Sequence, residues 1–193
     1  MSGDHHILTD ILEGGYILYT RHATTSTNTE SPNPDLNDCS TQRNLGTEGQ
    51  AEAKELGEIY RRLGITVSNP VLTSPYCRTR DTAKLAFGDR TEVFHDLIHI
   101  HLLAESQIPE PMKRSKDRLL QLFETVPHAG QNLVIIGHSH SFDPSYREIP
   151  FAGTVVLQPG GQHRGFTFKG LVELAQWRNE ASTISNRLLE AIK

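Results

Sequence analysis

A chain of 193 residues with 36% hydrophobic and 22% charged residues can build a substantial core, and its net charge of −4 removes the usual electrostatic basis for nucleic-acid binding. The longest apolar runs, such as Leu133 to Ile136, are strand-sized, so no membrane span is expected. The start, Met1-Ser2-Gly3-Asp4-His5-His6, lacks the basic and apolar regions of a secretory signal. The expectation is therefore a cytoplasmic protein with Cys39 and Cys77 as reduced thiols.

In chain order, His5-His6 reads as a disordered terminus. Tyr16 to Thr20, introduced by Gly14-Gly15, reads as a buried first strand. Residues 23–46 are rich in Thr, Ser, Asn, Pro and Asp without periodicity, as expected of a long loop arching over a site. Thr47-Glu48-Gly49-Gln50 has capping-box form, and Ala53, Leu56, Ile59, Tyr60 and Leu63 share one helical face before Gly64. Val71 to Thr73 predicts a second strand. Ser74-Pro75 predicts an N-cap and first helical position, which puts Arg78 on the first turn of the next helix. Val93-Phe94 opens another strand. A helix over 111–126 should turn Leu119, Leu120, Leu122 and Phe123 inward, and Asn132 to Gly137 reads as a buried strand. Thr154 to Leu157 and Phe166 to Phe168 read as two edge strands about Pro159-Gly160-Gly161, followed by an amphipathic helix over 175–193. Strand and helix signals alternate without linker or repeat. The expectation is a single domain over 1–193, an α/β fold with a largely parallel sheet covered on both faces.

Chemistry concentrates at three segments. Thr20-Arg21-His22-Ala23 follows the first strand, Thr73-Ser74-Pro75-Tyr76-Cys77-Arg78-Thr79-Arg80-Asp81-Thr82-Ala83 follows the second, and Val134-Ile135-Ile136-Gly137-His138-Ser139 closes a later one. Carboxyl ends of parallel strands are where open α/β sheets build sites. Imidazole accepts a phosphoryl group readily near neutral pH, and guanidinium forks match the oxygens of a phosphate. His99-Ile100-His101 and His138-Ser139-His140 place imidazoles two residues apart, yet no Cys or carboxylate spacing completes a ligand set, so no metal is expected.

In this order the three segments resemble the histidine phosphatase superfamily. Its members carry Arg-His-Gly/Ala, then Ser-Pro-x-x-Arg-x-x-x-Thr-Ala, then Gly-His after a late strand. The resemblance covers residues 14–168 and implies a phosphoglycerate mutase-like, three-layer αβα sandwich. It makes His22 the phosphorylated nucleophile, with Arg21, Arg78 and His138 completing the phosphate pocket, and Thr25 and Asn28 as further phosphate ligands. Relatives commonly draw a general acid from the segment after the middle arginine. Glu105 is the choice here, with Asp96 and Glu110 behind it. Gln42-Arg43-Asn44-Leu45 resembles a stretch of a small bacterial branch, where it would seat the loop on the helix starting at Thr47, with Arg43 as a possible substrate contact.

The implied activity is hydrolysis of a phosphomonoester, a small metabolite or sugar phosphate, without a cofactor. The alternatives are a phosphoglycerate mutase-type phosphotransferase, whose Glu-x-x-x-Gly-Trp/Phe-Glu-Gly pattern is absent, and a non-catalytic phospho-ligand-binding protein. The expected partner is the small phosphorylated substrate; neither nucleic acid nor membrane is expected, and nothing in the sequence speaks to oligomeric state.

Overall fold

Period-two alternation along the apolar runs sends neighbouring side chains to opposite faces of one sheet. In the computed structural model, which describes the backbone of residues 4–191 and the side chains of residues 7–183, the strands are β1 (Ile17–Arg21), β2 (Val71–Thr73), β3 (Thr91–Val93), β4 (Leu133–Gly137), β5 (Thr154–Pro159) and β6 (Phe166–Val172). Their spatial order is β3-β2-β4-β1-β5-β6. β3, β2, β4 and β1 are parallel, whereas β5 runs antiparallel to both β1 and β6. β5 is therefore an inner strand, not the edge expected, and its residues are buried except at Gln158.

The helices are α1 (Asp4–Glu13), α2 (Thr47–Leu63), α3 (Cys77–Phe87), α4 (Glu110–Glu124) and α5 (Leu174–Ala191). Leu18, Val134, Ile136 and Val156 point to the face covered by α1, α2, α3 and α5, where Leu56, Tyr60 and Trp177 fill the core. Ile17, Tyr19, Ile135, Val155 and Leu157 point to the other face, against α4 and the 3-10 stretch His95–Leu103. The expected three layers are present.

Several local expectations shift. Residues 5 and 6, expected as a disordered terminus, lie within the backbone of α1; their side chains are outside the described residues. α1 escaped notice because a single short turn of apolar residues, Ile7, Leu8 and Ile11, carries its contact with the core. α2 is capped by Gly46 without a side-chain bond, so the Thr47 capping box does not form. Leu119, Leu122 and Phe123 are buried in α4 as expected, whereas Leu120 is half-buried.

Cys39 and Cys77, expected as thiols, form a disulfide, with Sγ atoms 2.04 Å and Cα atoms 5.7 Å apart. The loop makes this possible. Asp38 caps the 3-10 turn Cys39–Thr41, and Gln42 Oε1 accepts the Cys77 backbone N–H at 2.8 Å, which sets the turn beside the start of α3. Compartment was the sole ground for expecting thiols, since a pair 38 residues apart in sequence carries no mark of being neighbours.

Cross-linking across that separation removes denatured-state entropy, so the bridge should stabilise the fold by about 2–4 kcal/mol. A Cys39→Ser/Cys77→Ser variant is expected to melt several degrees lower. An unchanged denaturant midpoint would show that the loop contributes nothing to global stability.

Candidate active site

Parallel pairing of β1 with β4 places Arg21 opposite Gly137, and the His22 N–H donates to the Gly137 carbonyl at 2.9 Å. His22 and His138 thus leave adjacent strands at the same end, and their ring centroids are 5.5 Å apart. Gly137 is required by close approach: a Cβ there would lie 2.2 Å from the Tyr19 hydroxyl. That hydroxyl donates to the His138 carbonyl at 2.8 Å and accepts its N–H at 3.0 Å, which fixes the backbone of the second histidine.

The segment after β2 divides its work. Ser74 and Pro75, expected to start α3, precede it; Tyr76 is the N-cap, and Arg78 lies on the first turn. Ser74 is free to serve the site, with its hydroxyl 2.9 Å from His138 Nε2. The Thr79 hydroxyl donates to the Ser74 carbonyl at 2.7 Å. Thr82 donates to the Arg78 carbonyl at 2.7 Å and accepts the Ala23 N–H at 3.1 Å, tying the residue after His22 to α3. On the far side of the sheet end, Phe151-Ala152-Gly153 turns through a left-handed Ala152 (φ 54), with the Gly153 carbonyl accepting the Arg21 N–H at 3.0 Å.

Both guanidiniums are stacked and only partly spent. Arg21 lies over Phe151 (3.9 Å) and Arg78 over Tyr76 (4.1 Å). The same aromatics reach the histidines, Phe151 to His22 at 5.5 Å and Tyr76 to His138 at 5.1 Å between ring centroids. Arg21 Nη1 donates to Glu148 Oε1 at 2.5 Å and to the Ile149 carbonyl at 2.6 Å, and Arg78 Nη1 donates to Glu30 Oε1 at 2.6 Å. The Nε–H of each arginine is buried and has no partner among the described residues. Buried unpaired donors are uncommon and call for an explanation; two of them on neighbouring guanidiniums suit an oxyanion.

His22 is 4% exposed, and its Nδ1 lies 2.9 Å from the Ala23 carbonyl. A carbonyl only accepts, so Nδ1 carries the proton and Nε2 keeps its lone pair. Burial first, then the charges of Arg78, Arg21 and Arg43, lower the His22 pKa to about 3 against the bond to Ala23. Burial and the neighbouring His22, Arg78 and Arg21 lower that of His138 to about 3. Both rings are neutral near pH 7.

The structure thus brings Arg21, His22, Arg78 and His138 together. Arg43 is exposed but close enough for its charge to bear on His22. Thr25 forms an isolated β-bridge with Leu45, and Asn28 is exposed. Glu105 is exposed as well, and its backbone carbonyl accepts from Lys116 at 2.5 Å. Asp96 is held in a two-pronged pair by Arg118 at 2.6 and 2.7 Å, which lowers its pKa, and Glu110 pairs with Lys113 on the surface of α4. Neither reserve acid is free for catalysis. Gln42 seats the loop on the start of α3 rather than α2, through Cys77. Sequence reasoning missed Glu30, Glu148 and Phe151, which lie on irregular segments. Ser74, Tyr76 and Thr82 stood inside the quoted motif but without an assigned task.

Residues 17–108 match the histidine phosphatase superfamily (branch 1). No curated protein sequence matches the chain. Among solved structures, the protein histidine phosphatase SixA bound to tungstate is 15% identical, with a TM-score of 0.53 over 83% of this chain and 97% of that one. The phosphoserine phosphatase of Entamoeba histolytica with 3-phosphoglyceric acid is 12% identical, with a TM-score of 0.51 over 82% and 96%. The alpha-ribazole phosphatase of Shigella flexneri is 14% identical, with a TM-score of 0.50 over 82% and 96%. At these identities the likeness speaks for the fold, while the matched segment holds two of the three motifs. By that segment the chain is similar to the histidine phosphatase superfamily, and the sandwich built around it has the fold of these neighbours.

Proposed function

We propose that this protein hydrolyses phosphomonoesters through a phosphohistidine at His22. The observation that carries the reading is the pair of buried, unpaired Nε donors on Arg21 and Arg78 beside a neutral histidine whose Nε2 is unprotonated. The arginines bind the equatorial oxygens of the phosphoryl group and balance the charge that spreads over them. His22 Nε2 attacks phosphorus in line, the P–N bond forms as the ester P–O bond breaks, and the alcohol leaves. Water then attacks the phosphohistidine and releases inorganic phosphate. His138, oriented by Ser74 and Tyr19, supports the pocket from the neighbouring strand.

The solved neighbours are named for protein phosphohistidine, phosphoserine and ribazole substrates, with phosphoryl removal in common. A small phosphorylated metabolite or sugar phosphate is the substrate class we favour, with Arg43, whose charge bears on His22, as a substrate contact. Among the described residues no helix is long and apolar enough to cross a membrane. The Cys39–Cys77 bridge is a bond that persists in oxidising surroundings, and it weighs against the cytoplasmic placement expected from sequence.

His22→Ala should abolish release of inorganic phosphate from a phosphomonoester panel, while His22→Asn should still bind inorganic phosphate through Arg21 and Arg78. Arg78→Ala should lower kcat by about 10²–10³-fold, by analogy with loss of an oxyanion donor. Near-normal kcat in His22→Ala would overturn the mechanism.

A second consequence concerns pH. The folded pKa of His22 is depressed to about 3 while the unfolded value is 6.5, so the unfolded chain binds more protons between them. Stability from this group is full above pH 6.5 and is lost as pH falls toward 3. Between pH 6.5 and about 4.5, above the usual carboxylate range, His22→Asn should flatten the fall in Tm. An NMR titration of the His22 ring with a midpoint near 6.5 would contradict its burial among cations.

A further inference from the structure

The expected acid segment leaves no carboxylate free at the pocket. Asp96 is consumed by Arg118, Glu110 by Lys113, and Glu105 is exposed. Two carboxylates do touch the phosphate-binding arginines, and both come from elsewhere in the chain: Glu148 on Arg21 and Glu30 on Arg78. Their settings differ. The Glu148 side chain is 65% exposed, on an arginine that the Ile149 carbonyl also holds. The Glu30 side chain is 29% exposed, on an arginine 9% exposed. Its segment is fixed: Ser31 N–H donates to the Thr41 carbonyl at 3.0 Å, the Arg43 N–H approaches Glu30 Oε1 at 3.4 Å, and Cys39 between them is bonded to Cys77, the residue before Arg78.

Resting on the phosphatase reading above, we propose that Glu30 is the proton donor to the leaving group. His22 is buried, so it attacks from the core side, and an in-line displacement sends the leaving oxygen toward solvent; of the residues on Arg78, Glu30 is the one with a partly exposed carboxylate. Arg78 Nη1 donates to Glu30 Oε1 at 2.6 Å, so Glu30 shares the guanidinium whose Nε is left for a phosphate oxygen. An arriving phosphoryl group claims Arg78, removes that cation from Glu30 and sets a dianion beside it. Glu30 enters the step as the acid, its proton drawn from solvent. Glu30 then gives it to the bridging oxygen as the P–O bond breaks and the P–N bond to His22 forms, so the alcohol leaves neutral. The resulting carboxylate takes a proton back from the water that attacks phosphohistidine, and phosphate release restores the pair with Arg78. The loop thus carries an acid that only a bound substrate switches on.

The test compares leaving groups in Glu30→Gln. An alkyl phosphate needs a proton on its leaving oxygen, whereas nitrophenolate departs without one. kcat for ethyl phosphate should fall about 10²-fold while kcat for nitrophenyl phosphate stays within about threefold. Affinity for inorganic phosphate, measured by calorimetry, should rise or hold, since a competitor for Arg78 has been weakened; this also reports a folded pocket. Equal losses on both substrates, or none on either, overturn the assignment, as does a selective alkyl defect in Glu105→Gln or Glu148→Gln instead. Wild-type protein inactive on both substrates would sink the phosphatase reading itself, an outcome distinct from failure of the Glu30 variant.

Discussion

In-register parallel pairing of β1 and β4 is the constraint on which the site depends. Arg21 opposite Gly137, closed by the His22 N–H on the Gly137 carbonyl, determines that two histidines 116 residues apart meet at one sheet end. A slip by one residue would turn Tyr19 and Ile135 out of the α4 face and send Leu18 and Ile136 into it. Both faces are buried, so every such slip loses packing twice. Because both strands are buried but for Arg21 and Leu133, the position of the imidazoles is enforced by the core rather than by the loops that carry them.

The electrostatics follow from that burial. A histidine 4% exposed next to guanidiniums has two reasons to stay neutral, and desolvation is the larger. The arginines resist the same desolvation because guanidinium remains charged at any accessible pH. They stack on Phe151 and Tyr76 and take one carboxylate each, yet leave their Nε donors unpaired. A site that compensated its cations fully from within the chain would have nothing left for substrate. One that compensated nothing would confront bare charges at close range. Glu30 and Glu148 occupy the middle ground, since each is solvent-accessible enough to be displaced.

Much of this was legible in the chain itself. Short continuous apolar runs mark the buried strands, and the order of Arg21-His22, the Arg78 segment and Gly137-His138 marks the residues that the structure brings together. Signals failed where the cause is nonlocal. β5 reads as an edge from its own residues, and only the antiparallel β6 beside it makes it internal. Ser74 looked like a helix cap because Ser-Pro often is one, whereas its hydroxyl is drawn to a histidine 64 positions away. Glu30 and Glu148 lie in aperiodic segments, where no spacing rule connects a carboxylate to a distant arginine.

The disulfide shows the same limit from another side. The loop over residues 23–46 buries few apolar groups, Ala23 and Leu45 among them, so hydrophobic contact alone cannot fix its path. It is fixed instead by polar contacts and a covalent bond: Gln42 between the Asp35 carbonyl and the Cys77 N–H, Asn44 on the Cys39 carbonyl, and Cys39 joined to Cys77. Two of these anchors, the Gln42 bond to the Cys77 N–H and the disulfide, reach the start of α3, the turn that presents Arg78. A long polar loop joined covalently to the residue before Arg78 couples its own position to that arginine, while its two ends are tied to each other and to α2. The composition that made the segment unreadable as secondary structure is therefore what lets it serve as a positioned arm of the site.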